Sequence, residues 1–325
     1  MITNELAPIN DSKLIAVEIQ PLDQNPAAVY LAGLGNDKSR RVQKQGLEII
    51  ANMLTGSPDI LAVQWGELRF QHTAAVRSRL AAAYSIATTN RILCALRRTL
   101  KAAWKLEQMT ADERNKACDL DPVNGETLPA GRALTAGEIS ALMSVCERDL
   151  SPAGARDAAM IACMYPGGLR RDEVINLDLS DYNPDNGELT VRHGKNNKAR
   201  IAHMTNGAIY ALDDWFAVRG SEPGPMLYPI NKAGIHTQRR MTNQAVYNAL
   251  IKRGNQAGVK DLSPHDLRRT FITDLLEAGA DLSIVADMAG HKRIDTTRRY
   301  DRRPEAAKAK AAGLLHLPYR GRKVI

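Results

Sequence analysis

Residues 263–301 read SPHDLRRTFITDLLEAGADLSIVADMAGHKRIDTTRRYD, and the rest of the chain is organised around this stretch. Ser263 and Pro264 are typical of a helix start, because Ser can cap free backbone N–H groups and Pro fits the first turn. Apolar residues then recur at helical spacing, and Gly279 is placed to end the helix. A second, shorter helix is predicted to end at Gly290.

The same stretch carries side chains that suit chemistry on a phosphate group. His265 and Arg268 are three residues apart and therefore share one helical face. His291 follows the second helix directly, and Tyr300 lies within a run of Arg. Arg offers permanently charged donors for phosphate oxygens, His exchanges protons near neutral pH, and Tyr can act as a nucleophile. Two interpretations stay open at this point: a phosphate-directed active site, or a helical core with ordinary His residues and a surface Tyr.

Length and composition bound the class of protein. A chain of 325 residues indicates about two domains. The four Cys residues show no metal-type spacing, which is typical of small core residues in a reducing compartment. The N-terminal residues MITNELAPINDSKL lack a signal pattern, and the sequence has no apolar run long enough to span a membrane. We therefore expect a cytoplasmic protein that does not enter a membrane.

The positive charge of the chain is concentrated at its C-terminal end. The formal net charge is +8. Residues 292–325 contain eleven Lys or Arg and three acidic residues, whereas residues 1–291 contain 33 of each kind. A basic tail is often only a solvated segment, but beside a candidate phosphate site it favours a polyanionic partner.

The N-terminal half has helical patterns with basic faces. We predict a flexible lead-in at residues 1–24 and an all-α domain at residues 25–118. In the helix predicted at Thr88–Gln108, four basic residues fall within an arc of roughly 80° opposite the apolar side. A helix at Ser39–Leu54 also turns basic residues outward. Such a face is either an ordinary surface or one laid along nucleic acid. The candidate DNA-binding residues are Arg91, Arg98, Lys101 and Lys105 on the first of these helices, and Arg40, Arg41 and Lys44 on the second.

The C-terminal half mixes helices with short strands. Residues 119–133 are rich in Pro, Gly and polar side chains and predict a linker, followed by a second domain at residues 134–303. A capping-box signature at Thr135–Glu138 predicts the start of its first helix. Short strand-like segments separated by turns then predict a small antiparallel sheet, and its second turn carries Lys195 and Lys198. The predicted strands are Leu177–Tyr182, Glu188–His193 and Arg200–Met204. The predicted fold class is therefore mainly α with a small antiparallel β-sheet, an α+β fold.

These signals, taken in order, resemble the tyrosine recombinase (phage integrase) family. The resemblance extends over residues 25 to about 315 and implies a two-domain DNA clamp, in which the N-terminal helical domain is a SAM-like DNA-binding domain. The motifs that carry it are GGLRRDEV around Arg170, GKNNKAR around Lys195, HDLRRTF with His265 and Arg268, AGH with His291, and TTRRY with Tyr300.

The resemblance implies a role for each of these positions. Tyr300 would attack a DNA phosphodiester to form a 3′-phosphotyrosyl bond and free a 5′-hydroxyl. Arg170 and Arg268 would hold the non-bridging oxygens and stabilise the charge of the transition state. His265 would assist proton movement at the tyrosine, and His291 would hydrogen-bond the phosphate.

The leaving 5′-oxygen also needs a proton, and the resemblance assigns its delivery to Lys195. Lys198 lies close by in the same turn and is an alternative donor. The phosphotyrosine would store the energy of the broken bond, so the resemblance implies neither a metal ion nor a nucleotide cofactor. Arg171 and Arg269 stand next to the two catalytic arginines and could be mistaken for them in mutagenesis.

The resemblance further implies assembly on double-stranded recombination sites. Members act as tetramers linked by exchange of a C-terminal helix, which we expect within residues 304–325; folding back on its own domain is the alternative. With about 24 residues before the first helix, we expect no additional arm-binding domain. Two other functions share much of the pattern: a type IB topoisomerase-like nicking and resealing enzyme, and a regulatory DNA-binding protein without catalysis. The target site, the direction of recombination and the choice of cis or trans cleavage are not given by the sequence.

Overall fold

The computed structural model of the protein describes residues 14–15, 20–125, 131–192, 199–301, 312 and 318. The chain divides into two compact units, Met1–Leu128 and Pro129–Ile325. Within the described residues, no helix is both long and apolar enough to cross a membrane. Three predicted parts lie outside the described residues: the hairpin turn with Lys195 and Lys198, most of the lead-in, and, apart from residues 312 and 318, the C-terminal segment 304–325.

The first unit is a helical bundle around one apolar core. Polar caps fix where its helices begin: the side chain of Asn36 accepts hydrogen bonds from the second helix's first turn, and Ser85 does the same for the fourth. The second helix ends at Gly56, which has a left-handed φ of 78°. Among the described residues, its helices are α1 (Pro26–Ala32), α2 (Asp37–Thr55), α3 (Phe70–Ala83), α4 (Ile86–Lys105) and α5 (Ala111–Cys118).

The second unit is mainly helical and carries the sheet. Antiparallel strands pair in the order β1-β2-β3, with Leu189 opposite Ala202. Its described helices are α6 (Ala136–Arg148), α7 (Pro152–Met164), α8 (Arg171–Ile175), α9 (Gly207–Arg219), α10 (Asn243–Gln256), α11 (Pro264–Glu277), α12 (Leu282–Ala289) and α13 (Ile294–Arg298). Its described strands are β1 (Tyr182–Asn183), β2 (Glu188–Val191) and β3 (Arg200–His203). The predicted α+β fold class is confirmed.

One predicted strand is largely wrong. Residues 179–181 of the segment Leu177–Tyr182 form a single 3-10 turn, and only its last residue enters β1. The reason is local: the backbone N–H of Asp178 donates to the side chain of Asp181 at 2.9 Å, which closes a turn in place of an extended strand.

The ends of the predicted linker are held by hydrogen bonds within each unit. On the N-terminal side, Asn90 exchanges two hydrogen bonds of 2.9 Å with the backbone of Val123. On the C-terminal side, the backbone N–H of Arg132 donates to Asp266 at 3.0 Å, and the Arg132 guanidinium pairs with Glu138 of α6. The residues between these anchors, 126–130, lie outside the described part of the chain.

Candidate functional site

The C-terminal end of α12 is the point on which three arginines converge. Helix α12 ends because Gly290 adopts a left-handed φ of 61°. The last carbonyls of a helix have no partner within it and form the negative end of its dipole. Here the carbonyls of residues 288, 289 and 290 accept from Arg200 (3.0 Å), Arg268 and Arg170 (3.0 Å), respectively. Each guanidinium comes from a different part of the sequence, and one helix end holds all three together.

Arg268 is the most enclosed of the three, with 2% of its surface exposed. Besides the α12 carbonyl, its guanidinium donates to the carbonyl of Gly168. Gly168 has a φ of 61°, and a Cβ there would lie 2.4 Å from the ring of Phe271, so only glycine fits. Burial, and then the charge of Arg170, lower the pKa of Arg268 to about 9. It therefore remains a cation at neutral pH, held at two points.

Glu173 balances the charge of the other two arginines. Its carboxylate accepts from the backbone N–H and guanidinium of Arg170 at 2.8 and 2.7 Å, and from Arg200 at 2.8 Å. Only 2% of its side chain is exposed. Burial alone would raise the pKa of Glu173, but the hydrogen bonds from Arg200 and Arg170 outweigh it and hold that pKa below its usual value. The buried carboxylate is therefore ionised at neutral pH and fixes both partners.

Tyr300 lies beside this cluster with two histidines around it. Its Oη is 3.4 Å from Nε2 of His265, and its ring stacks on His291 with centroids 6.4 Å apart. The guanidinium of Arg269 lies 5.3 Å over the same ring. Thr297 is fully buried and contacts both His291 and Tyr300. Its hydroxyl is 2.7 Å from Nδ1 of His291, and its carbonyl accepts from the backbone N–H of Tyr300 at 2.9 Å.

The arginines also set the protonation of the histidines. Burial, and then the charges of Arg268 and Arg170, lower the pKa of His291 to about 4. Burial of part of its ring, followed by Arg268 and Arg269, lowers the pKa of His265. Both imidazoles are therefore neutral at pH 7, where a neutral His265 can accept a proton from the tyrosine hydroxyl.

The structure brings five of the six predicted catalytic residues together; Lys195, like its alternative Lys198, lies outside the described residues. Four contributors were missed by the sequence reasoning. Arg200 closes the motif GKNNKAR, and Glu173 stands in GGLRRDEV, so both were within the quoted motifs but had no assigned role. Thr297 and Arg269 also lie within quoted motifs, TTRRY and HDLRRTF, and only their contacts with His291 and Tyr300 give them a place in the site. An open groove in front of the site is lined by Arg170, Arg171, Asp172, Tyr247, Ser263, Pro264, His265 and Arg268.

The predicted DNA-binding residues of α4 differ in what they contact. Arg98, Lys101 and Lys105 are exposed and line a shallow groove between α4 and α1. Arg91 is half-buried, and its guanidinium donates to the carbonyl of Val42 in α2 at 3.1 Å. Three of the four thus present their charge to solvent, while the fourth also ties two helices together.

The basic residues of α2 are exposed but partly engaged. Arg40 pairs with Asp37 at 2.8 Å and donates to two backbone carbonyls near the end of α1. Lys44 lies 3.6 Å from Glu48, one turn further along the helix. Arg41 is exposed on the same helix. The basic side chains of α2 are therefore less available to bind a polyanion than those on the exposed face of α4.

Arginines fixed around neutral histidines and a tyrosine define a class of enzyme, in which a tyrosine attacks a phosphate group held by guanidinium donors. The sequence pattern of the phage integrase family matches residues 132–306, more than half of the chain. The protein belongs to this family, the tyrosine recombinases. It is an enzyme of site-specific recombination that acts on DNA through a phosphotyrosine intermediate, so the resemblance noted in the sequence is confirmed.

Individual relatives agree with this assignment. The chain is 30% identical over 219 residues to tyrosine recombinase XerA of Pyrococcus furiosus, covering 67% of this chain and 71% of that protein. It is 30% identical over 286 residues to tyrosine recombinase XerD of Pseudomonas putida, covering 86% and 91%. The Tn1549 transposon integrase, solved in complex with transposon right end DNA, has the same fold, with a TM-score of 0.70 at 18% identity over 91% of this chain and 99% of that one.

Proposed function

We propose that Tyr300 is the nucleophile of DNA cleavage and that His265 receives its proton. The observation that carries this assignment is the 3.4 Å separation of Tyr300 Oη from His265 Nε2, beside the cations Arg170 and Arg268. Because the pKa of His265 is lowered, its imidazole is free to accept a proton at neutral pH. The same cations would then stabilise the negative charge that builds on the phosphate.

In the proposed reaction, Tyr300 Oη attacks the phosphorus of the scissile phosphodiester and passes its proton to His265 Nε2. The bond between phosphorus and the 5′-oxygen breaks, and that oxygen takes a proton from Lys195, or from Lys198 as the alternative. The products are a 3′-phosphotyrosyl bond and a free 5′-hydroxyl. In strand exchange the 5′-hydroxyl of the partner strand attacks the phosphotyrosine and gives its proton to the neutral Lys195, or Lys198, while the Tyr300 oxygen leaves and takes back the proton held by His265.

In the same proposal each guanidinium has one task. Arg170 and Arg268 donate to the two non-bridging oxygens, and preorganised donors of this kind stabilise a transition state without further reorganisation. His291 donates its Nε2–H to a phosphate oxygen, because its Nδ1 is engaged with Thr297. The exposed cations Arg98, Lys101 and Lys105 grip the DNA backbone outside the site.

The proposed assembly is a tetramer on two DNA duplexes, linked by the C-terminal segment at residues 304–325, and its place of action is the cytoplasm. The basic charge of residues 292–325 supports contact with DNA or with an acidic neighbouring surface. A monomer that relaxes supercoiled DNA would point instead to a topoisomerase-like activity.

Covalent trapping tests the role of Tyr300. Wild type, Tyr300→Phe and the matched control Tyr210→Phe would be incubated with nicked DNA carrying the recombination site, and the adduct would be measured on a denaturing gel. Tyr210 is 73% exposed on α9, so its variant loses a hydroxyl away from the site. We expect an adduct with wild type and Tyr210→Phe and none with Tyr300→Phe, at nearly unchanged DNA affinity. An adduct with Tyr300→Phe would assign the nucleophile to another residue. Tight binding without any adduct would favour a regulatory DNA-binding protein.

A further inference from the structure

Arg200 occupies a position that the reaction as proposed does not use. Its Nε donates to the carbonyl of Met288 at 3.0 Å, and its Nη2 donates to Glu173 at 2.8 Å. Only 11% of its side chain is exposed. A Cβ added to Gly290 would lie 3.2 Å from Cδ of Arg200, so the arginine packs directly against the end of α12. Arg200 therefore joins three elements: β3, α8 and α12.

We propose that Arg200 is a positioning residue for DNA cleavage, which fixes Glu173 and the end of α12 and so orients Arg170 and His291. The inference rests on the roles proposed above for those two residues. Glu173 shares its Oε2 between Arg200 and the backbone N–H of Arg170, while its Oε1 accepts from the Arg170 guanidinium. Removing Arg200 leaves a buried carboxylate with one cation in place of two, and such a group shifts to find a replacement.

The second route runs through α12. The backbone N–H of His291 donates to the carbonyl of Ala286 at 2.9 Å. The backbone of His291 therefore belongs to the helix end that Arg200 contacts. Arg170 donates to the carbonyl of Gly290, two residues beyond Met288. If the carbonyl of Met288 loses its partner, the helix end is free to fray toward water, and both active-site contacts move with it.

Arg200 is also close in sequence to Lys195 and Lys198, the two candidate proton donors. It opens β3 and pairs in register with Val191, the last residue of β2. The residues that join these two strands include Lys195 and Lys198. The contact of Arg200 with Glu173 therefore fixes the start of β3, which is close in sequence to the proposed proton donors.

A double-mutant cycle tests this role. The rate constant of adduct formation in a single turnover and the DNA affinity would be measured for wild type, Arg200→Gln, Glu173→Gln and the double variant. We expect Arg200→Gln to lower the rate about 10- to 100-fold, because misplacement of about 1 Å is enough to cause such a loss, with DNA affinity within about twofold of wild type. Since Arg200 and Glu173 share one contact but each also has another partner, the double variant should be slower than either single variant but clearly faster than the product of the two single losses predicts.

Two further variants make the result specific. Arg200→Lys keeps the charge but cannot donate to both partners in the same geometry, so we expect a rate between those of wild type and Arg200→Gln. Arg240→Gln is the matched control: Arg240 also holds a carboxylate, Asp178, and donates to the carbonyls of Ile175 and Leu177. Its loss should leave the rate within about threefold of wild type.

The outcomes separate this inference from the proposed function. A wild-type adduct together with a normal rate for Arg200→Gln overturns the positioning role and leaves Tyr300 as nucleophile. Multiplicative losses in the double variant also overturn it, because Arg200 would then act independently of Glu173. If Arg200→Gln fails to bind DNA, the double-mutant cycle would be repeated with Arg200→Lys in its place. Absence of an adduct in the wild type would instead count against the proposed function itself.

Discussion

Cationic side chains have two different environments in the two units of this protein. Around the end of α12, Arg268 is 2% exposed, and two nitrogens of its guanidinium donate to backbone carbonyls. On α4, Lys101 and Lys105 are exposed to solvent. A fixed, desolvated guanidinium can stabilise charge that develops at one point, because it needs no reorganisation when the charge appears. An exposed lysine can attract a polyanion from many directions, but salt screens it.

The buried arrangement has a consequence that the exposed one lacks. Packing several guanidinium groups together requires counter-charges, and the buried Glu173 and the carbonyls of residues 288–290 provide them. Burial, and then the positive charges of Arg268 and Arg170, lower the pKa of His291 to about 4, so this neighbour stays uncharged. The comparison therefore predicts that variants near α12 change the rate of chemistry, whereas variants on α4 change affinity.

Among the cationic residues, the largest effect is expected for Arg268→Lys. The lysine keeps the charge, but a single ammonium cannot reproduce the fork that spans the carbonyls of Gly168 and Ala289. We expect the rate of adduct formation to fall about 10²- to 10³-fold, the range seen when one preorganised donor is lost. Single-turnover trapping at saturating protein measures it. A loss confined to DNA affinity would remove the distinction between the two groups of cations.

The sequence indicated which residues lie in this site, but not which of them contact one another. The spacing of His265 and Arg268 places both on one face of α11, because three residues make nearly one helical turn. The left-handed Gly290 that ends α12 is also readable locally. Helices were predicted well for the same reason, as in α2, where the helix predicted at Ser39–Leu54 is observed at Asp37–Thr55.

What the sequence could not give are the contacts between distant segments. Arg200 meets Glu173 and Met288 across 27 and 88 residues of chain, and no periodicity encodes such distances. The wrong strand at Leu177–Tyr182 has the opposite cause, since a local side-chain hydrogen bond of Asp181 outweighed a weak strand pattern. Local signals thus predict where elements begin and end, and packing decides which side chains meet.

A smaller effect should appear in the pH dependence of stability. The pKa of His291 is about 4 in the folded protein and near 6.5 when unfolded, so the unfolded state binds the extra proton between these values. Stability is therefore full above pH 6.5 and falls as the pH drops toward 4, by about 2–3 kcal/mol once the full linkage value is reduced for solvent screening of this partly exposed ring. His291→Asn should weaken that dependence. Urea unfolding at pH 7 and pH 4.5 measures it, and equal differences for both proteins would refute the predicted coupling.

The smallest effect is expected on the exposed face of α4. Lys101→Gln and Lys105→Gln should each weaken DNA binding a few-fold at low salt and reduce the slope of log affinity against log salt by about 1, as expected for one lost phosphate contact. The rate of adduct formation at saturating protein should not change, because neither side chain is part of the α12 cluster. Lys116→Gln is the matched control, since its ammonium is 2.6 Å from Asp112 and already paired. A changed rate with an unchanged salt slope would show that α4 contributes to chemistry, and the division between fixed and exposed cations would fail.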